Sequence, residues 1–132
     1  MKILITGANG QLGRELTKQY KEKGNVELIL THVDTLDITN VNDVYKMVNE
    51  TRPDVIINCA AHTAVDKCED DVDNAYKINA VGPKNLAAAM NAIGGEIVQV
   101  STDYVFDGTS EKPYLEFDKP CPASVYGQTK YD

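Results

Sequence analysis

The strongest constraint on this chain is an alternation. Short apolar runs recur, each followed by a longer stretch of helical periodicity. Ile3-Leu4-Ile5 leads into a pattern through Leu12, Leu16 and Tyr20, and Val26 to Leu30 leads into a helix-like stretch from about Val41 to Asn49. Val55-Ile56-Ile57 is followed by Ala75, Ile78, Gly82, Leu86, Ala89, Met90 and Ile93 at three- and four-residue steps, and then comes Ile97-Val98-Gln99-Val100. Runs that are apolar on both faces belong to strands covered on both sides. A helix between each pair makes the strands parallel through right-handed crossovers. The expected fold is therefore α/β, a doubly wound parallel sheet of the Rossmann type. Thr39 or Asn40 is the expected N-cap of the second helix. The third is read as one long helix with a narrow, small-residue face, stopped by Gly94-Gly95.

Residues 1–132 read as one domain, with no repeat, linker or low-complexity tract. The net charge of -7 and the scatter of the basic residues exclude a nucleic-acid binder, which needs a basic stripe. No run approaches the roughly 18 apolar residues of a membrane span, and the apolar segment after Lys2 is too short for a signal peptide. Cys59, Cys68 and Cys121 are odd in number and widely spaced, which fits neither a zinc site nor a disulfide framework and points to a reducing cytoplasm. With His32 and His62 the only histidines, no metal site is expected.

Gly7-Ala8-Asn9-Gly10-Gln11-Leu12-Gly13 lies between the first strand and the first helix. In that setting the glycines have distinct uses. One allows a tight turn, one lets a pyrophosphate approach the main chain, and one lets helix and strand pack closely. The amides near Gln11 and Leu12 then point at the diphosphate. The G-x-x-G-x-x-G spacing resembles the short-chain dehydrogenase/reductase superfamily, in its extended branch acting on nucleotide sugars. A ribose-binding acid belongs about 20 residues on. Asp34 falls a few residues late, and is either that acid or a loop carboxylate. No arginine stands there for a 2′-phosphate, so NADH and NADPH both stay open.

Tyr126 and Lys130 are one helical turn apart and share a face. A phenol with a pKa near about 10 becomes an acid–base group at neutral pH only when its anion is stabilised. An adjacent ammonium provides that stabilisation. Ser101-Thr102 lies at the carboxyl end of the fourth strand, where open α/β sheets bind ligands. The Thr102 hydroxyl is the candidate donor to a substrate carbonyl, and Ser101 is read as a cap of the strand end.

Two longer runs narrow the family. Asn58-Cys59-Ala60-Ala61-His62-Thr63-Ala64-Val65-Asp66 and Ser101-Thr102-Asp103-Tyr104-Val105-Phe106-Asp107-Gly108, with Tyr126-Gly127-Gln128-Thr129-Lys130, resemble the dTDP-4-dehydrorhamnose reductase family along the whole chain. The resemblance implies reduction of the 4-keto group of dTDP-4-dehydro-L-rhamnose. It implies that Thr102 and Asp103 contact the sugar, that Tyr126 donates the proton and that Lys130 supports it. Gly10, Gln11 and Leu12 would hold the pyrophosphate, Asp37 and Ile38 would lie by the adenine, and Ala61, His62 and Thr63 would line the cofactor cleft. Asn79 either braces the active-site backbone or is a helix-surface amide, and Cys59 fills the cleft floor. Dehydratases of the branch place Asp-Glu after the threonine; Asp103 is followed here by Tyr104, which suits reduction without loss of water.

Members of that family are longer and carry a C-terminal substrate domain. The chain is accordingly expected to be the cofactor-binding portion, ending after a fourth strand left as an open edge and at the start of the catalytic helix. Homo-oligomerisation or a second polypeptide is another way to complete it. A 4-epimerase or another keto-reductase of the branch is a near variant of this reading. The competing class is a non-catalytic module resembling the regulatory subunit of methionine adenosyltransferase.

Overall fold

A computed structural model describes residues 1–132. The elements are β1 (Lys2–Thr6), α1 (Gln11–Lys23), β2 (Glu27–Leu30), α2 (Val41–Thr51) and β3 (Val55–Asn58). There follow α3 (Val65–Asp70), α4 (Val72–Tyr76), a π-helical turn (Lys77–Val81), α5 (Gly82–Ile93), β4 (Glu96–Gln99), a 3₁₀ turn (Asp103–Val105) and α6 (Val125–Tyr131). The four strands are parallel in the order β2-β1-β3-β4, with Leu4 opposite Ile29 on one side and Ile56 on the other, and Ile56 opposite Ile97. This is the doubly wound α/β sheet that the alternating pattern predicts.

The chain leaves β1 toward β2 and then crosses back to β3 on the other side. Right-handed crossovers in opposite directions put α1 on one face and α2 with α5 on the other. Leu4 and Ile56 join Val44, Val48, Leu86, Ala89 and Met90 in the larger core cluster, on the α2/α5 face. Ile3, Ile5 and Ile57 point the opposite way and pack with Leu16 and Tyr20 of α1. The alternation along β1, β2 and β3 thus feeds two cores, one on each face of the sheet. β4 is only half covered: Ile97 packs against the larger cluster, while Val98 is 51% exposed.

Asn40, one of the two N-cap candidates, caps α2: its side chain accepts from the amides of Asn42 (3.1 Å) and Asp43 (3.3 Å). The expected long helix runs from Val72 to Ile93, but with a π-helical turn in its middle, and α3 precedes it as a separate short helix. α3 escapes a periodicity argument because Val-Asp-Lys-Cys-Glu-Asp is under two turns long and mostly polar. No helix is long and apolar enough to cross a membrane.

Candidate active site

The strand order reverses between β1 and β3, and such a point opens a crevice at the carboxyl ends of the strands. Two cavities meet there along Gly10, Cys59, Ala60 and Ala61, forming one trench. The smaller arm, about 400 Å³, is walled by Gly7, His32, Val33 and the loop from Leu36 to Thr39. The larger, about 630 Å³, is walled by Gln11, Leu12, Gly13, Thr63, Ser101, Tyr126 and Lys130.

The glycine turn forms the wall between the arms. Gly7 has φ +59°, and a Cβ there would stand 2.8 Å from the Ala60 nitrogen, so β1 and the loop after β3 approach backbone to backbone. At Gly13 a Cβ would stand 2.5 Å from the Gly7 carbonyl oxygen, which fixes how closely α1 starts against the turn. Gly10 is the extended N-cap residue of α1 and offers no side-chain cap. The first-turn amides of α1 therefore start at a bare stretch of trench wall, a cradle suited to an anionic diphosphate.

Under the trench a hydrogen-bond chain crosses the strand ends. The Thr6 hydroxyl donates to Asn58 Oδ1. Asn58 Nδ2 donates to Gln99 Oε1 at 2.7 Å, and Gln99 Nε2 donates to the Val100 carbonyl at 2.9 Å. The parallel register that sets Thr6 beside Asn58 and Asn58 beside Gln99 makes this possible. Lys130 Nζ donates to the same Val100 carbonyl at 2.6 Å, and burial lowers its pKa from the ordinary 10.5.

α6 is a short helix and holds its place through neighbours. Ser124 Oγ accepts from the Gly127 amide at 3.0 Å, and Glu69 of α3 accepts from the Val125 amide at 2.8 Å. The Tyr126 ring packs with Cys68 and Ala75 and meets Tyr104 edge to face, centroids 5.7 Å apart. Asn79, in the π turn, is nearly fully buried. Its Oδ1 accepts from the His62 amide at 2.8 Å, and its Nδ2 donates to the His62 carbonyl at 3.0 Å and to Thr129 Oγ1 at 3.1 Å. Asn79 therefore braces backbone beside the trench and ties it to α6. The extra residue of the π turn aims it there, a use such insertions often have.

Of the candidates read from sequence, Gly10, Gln11, Leu12, Gly13, Ala61, Thr63, Tyr126 and Lys130 line the larger arm, and Gly7, Asp37 and Ile38 the smaller. The His62 ring turns elsewhere, with Nδ1 3.4 Å from Cys68 Sγ and Nε2 3.9 Å from Asp71. Thr102 Oγ1 accepts from the Tyr104 amide and donates to Asp103 Oδ1, each at 3.2 Å, so that it caps the 3₁₀ turn. Asp103 lines a neighbouring depression with Tyr104 and Ser124. Ser101 lines the trench. Asp34 is exposed and lies 3.8 Å from His32 Nε2. Glu69, Gln99 and Asn58 carry site contacts that residue type alone does not signal. Burial raises the pKa of both Cys59 and Cys68, with Glu69 and Asp71 adding to the rise at Cys68, so neither is poised as a thiolate nucleophile.

The model of the RmlD substrate binding domain family matches residues 1–132. A dTDP-4-dehydrorhamnose reductase from Burkholderia thailandensis is 44% identical over 130 residues, covering 98% of this chain and 43% of that protein. Among solved structures, a dTDP-4-dehydrorhamnose reductase from Clostridium acetobutylicum superposes with TM-score 0.97 at 67% identity, over 99% of this chain and 46% of that one. Another from Bacillus anthracis, solved in complex with NADP, gives TM-score 0.94 at 44% identity over 98% of this chain and 46% of that one. The chain thus spans a little under half the length of the relatives it matches. With a match along its whole length, the chain belongs to the RmlD family, that of the dTDP-4-dehydrorhamnose reductases.

Proposed function

We propose that residues 1–132 form the cofactor-binding and proton-donating domain of a reductase that converts the 4-keto group of dTDP-4-dehydro-L-rhamnose to the alcohol of dTDP-L-rhamnose, using NADPH or NADH. One observation carries the reading: a single trench has the glycine turn in its wall and Tyr126 with Lys130 in its larger arm. The relatives named as reductases of this sugar, and the NADP complex of one of them, support it.

The residues present fit a dinucleotide. Gly10 leaves the main chain bare at the start of α1, and Gln11 and Leu12 supply the amides that would hold the diphosphate. Asp37 and Ile38 would border the adenine, with Ala61 and Thr63 along the middle of the trench; His62 would act through its backbone. When bound, the nicotinamide supplies the hydride.

Tyr126 holds the proton that the sugar oxygen receives. Its hydroxyl is left free for that task, because its fixing contacts are made by the ring. The Lys130 ammonium, partly desolvated, stabilises the phenolate left behind. Thr102 and Asp103 would meet the sugar from the neighbouring turn; the Thr102 hydroxyl can exchange its bond to Asp103 for one to a ligand. The test is to titrate the protein with NADPH and NADH and to follow loss of nicotinamide absorbance with dTDP-4-dehydro-L-rhamnose. Binding of both cofactors without turnover in the full-length parent protein would leave a binding module and defeat the catalytic reading.

A further inference from the structure

Asn85 lies in the first turn of α5, is only 9% exposed, and faces neither arm of the trench. Its Nδ2 donates to the Ile38 carbonyl at 3.0 Å and, less closely, to the Thr39 carbonyl at 3.4 Å. Those carbonyls belong to the loop between β2 and α2, which has no sheet ladder to satisfy them. Two more contacts hold the same loop. Asp37 Oδ1 accepts from the Thr39 amide (2.9 Å) and the Thr39 hydroxyl (2.7 Å). The Ile38 side chain rests on Gly82, where a Cβ would stand 2.5 Å from Ile38 Cδ1. The stretch so held, Leu36 to Thr39, is one wall of the smaller arm.

We infer that Asn85 is a positioning residue for the adenosine end of the site: by tying Ile38 and Thr39 to α5, it fixes the wall against which a purine ring lies. This rests on reading the trench as a dinucleotide site. A flat aromatic ring gains most from a slot already at its bound width, because the loop then loses no freedom on binding. The Asp37–Thr39 turn is local and fixes the loop's own shape, whereas Asn85 fixes the loop's distance from the sheet. Without its donor, the buried Ile38 carbonyl must seek water, and the wall moves outward.

The test separates the two halves of the cofactor. Asn85→Leu keeps the number and branching of the side-chain heavy atoms and loses the donor; Asn85→Ser, smaller and still polar, serves the same comparison should the leucine variant fail to fold. ADP-ribose and nicotinamide mononucleotide are titrated calorimetrically into each folded variant and the unaltered protein. ADP-ribose affinity is expected to fall about tenfold, the worth of one lost buried hydrogen bond, while nicotinamide mononucleotide binds as before. ADP-ribose affinity within twofold of the unaltered protein overturns the inference alone. An equal loss for both fragments also overturns it, since the effect would then be general to the fold. Failure of ADP-ribose to bind the unaltered protein overturns the dinucleotide reading and the inference with it.

Discussion

Gln99 and Lys130 donate to the same oxygen, the carbonyl of Val100, at 2.9 and 2.6 Å. A carbonyl has two lone pairs, so the two donors saturate it. The ammonium is thereby held at the end of β4 by an acceptor whose own position is fixed through Gln99, Asn58 and Thr6. Replacing Gln99 with Glu should preserve the bond from Asn58 and lose the one to Val100. It also sets a carboxylate close to Lys130, which should raise the lysine pKa. Turnover of the full-length parent against pH reads this as an alkaline limb displaced upward. An unmoved limb would separate Gln99 from the lysine.

The lowered pKa of Lys130 carries opposite signs for rate and stability. On the proposed mechanism the cation is the working form, so turnover should fall as pH rises through the lysine's lowered value, below the ordinary 10.5. The unfolded chain holds that proton more tightly than the folded one. Between the lowered value and 10.5, stability should therefore rise with pH while the reaction slows. Urea midpoints and turnover measured over one pH series test the pair of slopes. A rate limb at or above the free-lysine value contradicts the assignment. Lys130→Arg, always charged, should remove the limb.

Tyr126→Phe should lower turnover in the parent enzyme about 10²–10⁴-fold, the usual worth of a general acid. Cofactor affinity should hardly change, since the ring contacts to Tyr104, Cys68 and Ala75 survive. Near-normal reduction by this variant would assign the proton to another group.

Gly13→Ala places a methyl 2.5 Å from the Gly7 carbonyl oxygen, which forces α1 away from the turn. The expected cost is about 1–3 kcal/mol of stability, the range for overpacking, together with weaker cofactor binding. Thermal unfolding and cofactor titration are the measurements; unchanged values in both would mean that the turn yields freely.

Asn79→Leu should destabilise the protein by roughly 1–3 kcal/mol, because the His62 amide and carbonyl lose a buried partner. It should also slow turnover by loosening Thr129, which lies between Tyr126 and Lys130 on α6. A variant destabilised but fully active at low temperature would confine Asn79 to a structural role.

The strands, the helices α1 and α2 and the glycine turn were legible because each depends on a local pattern of apolar spacing or on backbone freedom. The parts that were not legible depend on distance in the chain. The π turn leaves the apolar residues close enough to helical spacing that Ala75 to Ile93 reads as one regular helix, yet it is what turns Asn79 inward. The position of His62 after β3 fixed its backbone near the trench, but only the packing of α3 shows its ring facing Cys68. Ser101 and Thr102 are adjacent hydroxyls past the end of β4, and sequence favoured the second. Their different surroundings follow from the 3₁₀ turn that begins at Asp103. Gln99 looked like an ordinary strand residue; its link to Asn58 exists only through strand register.

Within residues 1–132, the half-bare fourth strand sets the order in which the sheet opens. β1 and β3 are each bonded to two neighbours and roofed on both faces, whereas β4 has one neighbour and exposes Val98. In deuterated water, the amides of β1 and β3 should retain their protons longest, and those of β4 should exchange through smaller local openings. Val100 continues directly from that strand, so the Lys130 anchor is tied to one of the sheet's least protected segments. A ligand bridging Gly10 and Lys130 would clamp that segment to the rest of the sheet, and slower exchange along β4 would be the first trace of its binding.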